Sequence, residues 1–239
     1  MGKHGKHRAL VRAGFIAACC MIAQPADACR LALVIAMDVS SSVDETEYLL
    51  QRNGLAAALL SPQVQDAFFI SPDPVALQIF EWSGRGHQTE LISWRMIRTP
   101  GDLSTVANQL TESMRSARGL PTAMGHALAY ASIKLQEAPN CLFQTIDMAG
   151  DGVNNAGFGP ASVYATFPFD GVTVNGLVIT GYDDAALGFY TDQVLRGPLA
   201  FAETASGYAD FEAAMQRKLI RELSSQIIGR TRNAKGEHG

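Results

Sequence analysis

Clustered Lys and Arg are scarce in this 239-residue chain: 19 basic residues stand against 23 acidic ones, a formal net charge of −4. Nucleic acid and anionic membrane surfaces reward basic clusters, so this balance excludes both as principal partners. Histidine is also sparse. Beyond His4 and His7 near the start there are His87, His126 and His238, and no G-x-S-x-G elbow accompanies them, which removes a serine hydrolase. His126 falls inside a helical pattern, where a partly buried structural histidine is expected. The longest apolar run near the start, Ala13 to Ala23, is too short to cross a bilayer. There is no internal repeat and no low-complexity linker, so one domain is expected.

The amino end carries a processing pattern. Lys3, Lys6, Arg8 and Arg12 precede the apolar run, and Ala26-Asp27-Ala28 supplies a small-x-small cleavage site, so residues 1–28 read as a secretory signal. Cleavage after Ala28 makes Cys29 the first mature residue and the location periplasmic or secreted. Ile16-Ala17-Ala18-Cys19 resembles a lipoprotein box, but cleavage there would leave only a stub of apolar sequence after Arg12. Removing 1–28 takes away four basic residues and one acidic residue, which moves the formal charge from −4 to −7. About 210 residues remain, enough for one α/β domain over 29–228. The residues 229–239, with Arg230, Arg232 and Lys235, read as a disordered basic tail. Of four cysteines, Cys19 and Cys20 lie in the signal, leaving Cys29 and Cys141 in a compartment where a disulfide persists.

Periodicity then alternates. Leu31 to Asp38 reads as a strand. Tyr48, Leu49, Leu55, Ala56, Leu59 and Leu60 recur at helical spacing toward Pro62. Val75 to Trp82 and Thr89 to Ile97 are strands joined by the turn Gly84 to His87, a hairpin. Helices are expected from Pro100 to about Met114 and from Ala123 to Gln136, then a strand from Cys141 to Ala149 and a helix near Pro160. Val172 to Thr180 is the fifth strand and Ala185 to Leu195 a helix. A weaker strand near Leu199 to Glu203 precedes a final helix from Tyr208 to about Ile227. In that helix Phe211, Met215, Leu219, Leu223 and Ile227 form a core stripe. The pattern predicts a mostly parallel sheet covered on both faces, with one antiparallel edge hairpin.

The most informative motif is Asp38-Val39-Ser40-Ser41-Ser42, a D-x-S-x-S run at the end of the first strand. One carboxylate and two hydroxyls at a strand-to-helix turn offer hard oxygen ligands to a divalent cation without forming a catalytic set. Ser42 to Glu45 also reads as a capping box for the following helix. In doubly wound sheets the ligand crevice lies beyond the carboxyl ends of the strands, where the strand order reverses. Asp38 and Asp151 both end strands that flank that point if the order is 3-2-1-4-5-6, and Thr122 starts a helix. Thr122 also reads as an N-cap and Asp151 as a turn residue.

Asp38, Ser40 and Ser42, then Thr122, then Asp151 resemble the metal-ion-dependent adhesion site (MIDAS) of von Willebrand factor A-like (vWA) domains, whose pattern is D-x-S-x-S, Thr, Asp. The order of elements matches from about Leu31 to Ser224, most similarly to the uncharacterised secreted bacterial branch. The resemblance implies a Rossmann-like three-layer α/β/α sandwich with a six-stranded sheet of order 3-2-1-4-5-6 and strand three antiparallel. It implies Mg²⁺, with Mn²⁺ or Ca²⁺ as substitutes, held by those five side chains. It also implies a protein partner whose Asp or Glu completes the cation's shell, and no catalysis. With strands one and four adjacent, Cys29 and Cys141 fall at neighbouring amino ends, and a Cys29–Cys141 disulfide is expected.

Two alternatives stay open. A haloacid dehalogenase-like phosphatase would use Asp38 as nucleophile and Gly150 to Asn155 as its late acidic loop, but Ser40 and Asn155 stand where that family needs acids. A vWA fold with a purely structural metal would lack a partner altogether. Glu81 and Trp82, which end the second strand, read as core or rim residues.

Overall fold

The computed structural model describes residues 1–2, 29–181 and 185–236, from 225 onward by backbone alone. The expected signal segment and its cleavage site lie outside the described residues. Six strands form one sheet of order β3-β2-β1-β4-β5-β6. They are β1 (Cys29–Asp38), β2 (Val75–Trp82), β3 (Gln88–Ile97), β4 (Cys141–Gly150), β5 (Val172–Ile179) and β6 (Ala202–Ala205). All neighbours pair in parallel except β2 and β3, the antiparallel hairpin at one edge.

Among the described residues seven α-helices cover the sheet: α1 (Glu45–Leu60), α2 (Pro62–Phe68), α3 (Pro100–Glu112), α4 (Met124–Gln136), α5 (Pro160–Thr166), α6 (Ala185–Phe189) and α7 (Phe211–Gly236). β1 has polar or charged residues only at its two ends because both of its faces are buried. Leu31, Leu33, Ile35 and Met37 pack with α1, α2, α3 and α7, while Ala32, Val34 and Ala36 pack with α4, α5 and α6. The two cores are therefore set by the alternation of a single central strand.

Several boundaries differ from expectation. α2 was not anticipated; Ser61 caps it and Pro62 opens it, so the proline that ends α1 starts another helix. Leu49 and Leu60 are exposed rather than part of the α1 stripe. The helix expected over Ala185 to Leu195 changes to π geometry at Tyr190–Val194. The final helix starts after a 3-10 turn at Tyr208–Asp210 and runs to Gly236, into the stretch read as a disordered tail, where no proline stops it. Phe211, Met215, Leu219 and Leu223 of its stripe are buried, and the Ile227 side chain lies outside the described residues.

Cys29 and Cys141 are register partners on β1 and β4. Their sulfurs form a disulfide, with Cα atoms 4.3 Å apart and a sequence separation of 112. The bridge fastens the amino end of the central strand pair, opposite the carboxyl ends where the candidate site lies. α7 is tied to the same sheet by buried charge: Arg30 Nη1 donates to the Leu223 carbonyl at 2.9 Å, and Lys218 pairs with Asp147 and Glu222.

Candidate metal centre

The carboxyl ends of β1 and β4 meet at the reversal of the strand order, with Met37 beside Ala149 in register. Asp38 ends β1, and Asp151 follows the last residue of β4. The connection from β1 turns back at once: Ser40 N–H donates to Asp38 Oδ1 at 2.7 Å, and Val43 N–H donates to the Ser40 carbonyl at 3.1 Å. That turn directs Ser40 and Ser42 toward the incoming loops. Ser40 Oγ lies 3.2 Å from Ser42 Oγ, Thr122 Oγ1 donates to Ser40 Oγ at 3.1 Å, and Ser42 Oγ donates to Asp151 Oδ1 at 2.8 Å. Three loops thus meet through oxygen atoms alone.

The group is graded from inside to outside. Asp38 and Ser40 are fully buried, Thr122 is 4% exposed, Asp151 is half-buried and Ser42 is exposed. Asp38 Oδ2 is buried and has no hydrogen-bond partner among the described residues. Burial, and then the charge of Asp151, pushes the Asp38 carboxyl up to about 7. The Tyr190 phenol above the sheet is raised well beyond its ordinary value by burial and by the same two carboxylates. Gly150 keeps this space open. A Cβ there would lie 2.9 Å from Tyr190 Oη and 3.1 Å from Asp38 Oδ2, closer than the site allows.

The capping explanations of these residues do not hold. α1 is capped by Asp44, whose side chain accepts from Glu47 N–H while Glu47 reaches back, so Ser42 is not the N-cap and Glu45 does not close a box with it. α4 has Ala123 at its N-cap and no side-chain cap bond, so Thr122 is not spent there either. Asp151 does precede an irregular loop, but its carboxylate points back to Ser42.

Positioning groups that the sequence reading did not single out hold the loops. Arg115 Nη2 donates to the carbonyls of Val39, Ser40 and Val43 at 3.0, 3.1 and 2.7 Å. Gln51 Nε2 donates to the Asp38 carbonyl at 2.9 Å. Thr122 N–H donates to Asn155 Oδ1 at 2.8 Å and Gly125 N–H to Asn154 Oδ1 at 3.2 Å, which stitches the Asp151 loop to the start of α4. None of these has a motif-level signal: their roles depend on loops far away in sequence. Glu81 is buried and accepts from Ser116 N–H at 2.9 Å, and Trp82 is buried in the α4-side core, so neither lines the site. His126 stacks on Phe158 with ring centroids 4.0 Å apart, a structural role.

The donor set fits a hard divalent cation. Two carboxylates and three hydroxyls converge, one carboxylate oxygen is buried without a partner, and a glycine keeps the approach clear. No three His, Cys, Asp or Glu side chains form a metal-holding group among the described residues, and this donor set has only two carboxylates.

Residues 28–227 match a family model described as a protein of unknown function, DUF1194. The chain belongs to that family. No curated protein matches the DUF1194 chain in sequence. Its fold is that of a vWA domain. It is similar to a von Willebrand factor type A protein from Catenulispora acidiphila (TM-score 0.59, 14% identity, covering 82% of this chain and 43% of that one). It is similar to the proximal thread matrix protein 1 of the mussel byssus with a zinc-occupied MIDAS motif (TM-score 0.57, 15% identity, 82% and 46% covered). It is also similar to the PilB minor pilin of Streptococcus sanguinis (TM-score 0.59, 14% identity, 82% and 61% covered). The DUF1194 chain therefore spans less than two thirds of each of these proteins, and at such identities the likeness is one of fold. No helix among its described residues is long and apolar enough to cross a membrane.

Proposed function

We propose that this chain is a secreted or periplasmic docking module, not an enzyme, that holds Mg²⁺ through Asp38, Ser40, Ser42, Thr122 and Asp151 and binds a partner's Asp or Glu there. The observation that carries the reading is Asp38 Oδ2, a fully buried carboxylate oxygen with no hydrogen-bond partner among the described residues. A buried charge of this kind is costly unless something compensates it, and the surrounding groups are neutral hydroxyls, a second carboxylate and the Arg115 guanidinium, whose charge offsets the burial only in part. A bound divalent ion would supply the missing positive charge and attract an incoming carboxylate.

The protein's own residues do the rest. Ser40 and Ser42 present hydroxyl oxygens from one turn, Thr122 adds a third from the start of α4, and Asp38 and Asp151 supply the negative charge. The two carboxylates formally balance a divalent ion and the three hydroxyls add no charge, so what the site leaves for a partner is an open coordination position on the exposed side, where Ser42 sits. Arg115, pinned to three carbonyls, fixes the loop without adding a ligand. The zinc-occupied MIDAS of the mussel matrix protein supports a divalent ion at such a site; oxygen-ligand chemistry favours Mg²⁺, with Mn²⁺ or Ca²⁺ as substitutes. The pilin and matrix relatives support a role in attachment.

The proposed organisation is a signal over 1–28 and a domain beginning at Cys29, where the disulfide supports an oxidising compartment. The phosphatase alternative has no acid at Ser40, whose hydroxyl is engaged by Thr122. Affinity capture from envelope extract tests the function: a protein recovered in Mg²⁺ but not in EDTA, and not by Asp38→Ala, is the expected result. Recovery indifferent to both removes cation-mediated docking, and a metal that stabilises the domain without any Mg²⁺-dependent capture makes it purely structural.

A further inference from the structure

Next to the cation site, the segment between α3 and α4 forms a basic trough with α1. Two clefts of about 540 and 520 Å³ share Glu45, Arg115 and Arg118 and so run into one another. Val43, from the loop that carries Ser42, lines one; Arg52 and Met114 line the other. The trough is joined to the site by backbone as well: Ser41 N–H donates to the Leu120 carbonyl at 2.7 Å, and Arg115 bonds the carbonyls of Val39, Ser40 and Val43. Three arginines and one glutamate line the clefts, against a chain whose formal charge is −4. The local sign is therefore opposite to that of the whole molecule.

The cations differ in availability. Arg115 is committed to the loop, and Arg52 is bonded to the Ser113 carbonyl and Asn53. Arg118 has a 69% exposed side chain and pairs with Glu45 at 2.8 Å, which is itself 55% exposed. An exposed pair of this kind is weak and readily exchanges partners. Met114, at 85% exposure, stands beside it as a large apolar side chain in the irregular stretch after α3. A cation with a replaceable carboxylate, an exposed apolar contact and a neighbouring carboxylate-seeking site define the chemistry of one occupant.

We infer that the partner segment is an acidic peptide with two carboxylates, the first at the cation site and the second displacing Glu45 from Arg118, with an apolar side chain beside the second on Met114. This rests on the proposed cation-dependent docking. Glu45 acts as a stand-in for the partner's second acid in the free domain.

Fluorescence anisotropy on the mature chain tests it with two labelled peptides in a Gly/Ser background: one with an Asp and a Leu, the other with the same Asp and Leu and a Glu in place of a Ser between them. In Mg²⁺ the two-acid peptide is expected to bind about two- to fivefold more tightly. Arg118→Ala is expected to abolish that preference while leaving the one-acid peptide unchanged, and Glu45→Gln to strengthen the two-acid peptide. Equal Mg²⁺-dependent binding of both peptides, or a preference that survives Arg118→Ala, overturns the trough and leaves the cation site standing. A preference that needs Arg118 but persists in EDTA overturns the cation site and not the trough. No binding of either peptide in Mg²⁺ overturns both. Binding only when phosphoserine replaces the Glu overturns the choice of a carboxylate.

Discussion

Ser42 Oγ donates to Asp151 Oδ1 across 2.8 Å, joining two loops that are 109 residues apart in sequence. The pair sits at the open side of a group whose deepest member, Asp38, is fully buried. Ser42 is thus the one proposed ligand whose removal leaves the buried part of the site intact.

Ser42→Ala should fold like the wild type, because an exposed hydroxyl of this kind changes stability by no more than about 0.5 kcal/mol. Its effect should appear only with metal. At a Mg²⁺ concentration about 100 times the dissociation constant, the wild type gains about 2.7 kcal/mol, a rise of roughly 5–10 °C in Tm. Thermal unfolding with and without EDTA should show that rise in the wild type and little of it in the variant.

Asp38 gives a pH signature. Burial raises its carboxyl from an ordinary 3.8 to about 7, so the folded metal-free domain holds that proton more tightly than the unfolded chain does. The corresponding stability is complete below about pH 4 and is lost as pH rises through 7, up to about 4 kcal/mol. Asp38→Asn removes the titration. In EDTA, urea unfolding should show the variant gaining on the wild type between about pH 5 and pH 8, and parallel curves would refute this. Wild-type metal affinity should weaken below about pH 7, where the proton competes.

The Cys29–Cys141 bridge closes a span of 112 residues across the two central strands. Chain-entropy reasoning gives up to about 5 kcal/mol for a loop of this size. Reduction with dithiothreitol, or a Cys29→Ala and Cys141→Ala double variant, should lower Tm by roughly 10 °C. The bridge lies at the end of the strands opposite the site, so Mg²⁺ should still raise the lowered Tm by the same increment.

Much of this architecture is legible in the sequence because it rests on local pattern. Val75 to Trp82 is a largely apolar run with turn residues on both sides and forms β2 with those limits; Asp38 and Asp151 mark strand ends where the order reverses. The cysteine register followed once β1 and β4 were neighbours. What stayed hidden depends on distant partners. The capping box at Ser42 and Glu45 was a plausible local reading, but Asp44 and Glu47 form it two residues later, which only the backbone decides. Arg115, Gln51, Asn154 and Asn155 hold the site through backbone groups, and such bonds leave no periodicity behind.

Gly125 supports the site from outside it. A Cβ there would lie 2.0 Å from the Phe158 carbonyl oxygen and 2.9 Å from its carbon, both backbone atoms that cannot rotate away. Gly125→Ala must therefore displace the loop after β4, whose Asn154 accepts from Gly125 N–H. A stability loss of about 1–3 kcal/mol is expected by chemical denaturation, as for other overpacked positions. Mg²⁺ affinity should fall as well, because the same loop carries Asp151.

Calorimetric titration of Mg²⁺ into the chelator-treated mature chain tests the central claim most directly. One saturable ion per chain is predicted, with the heat abolished in Asp38→Asn and sharply reduced in Ser42→Ala while both variants remain folded. Absence of saturable heat in the wild type, or an unchanged isotherm in Asp38→Asn, would contradict the claim that these side chains hold a cation.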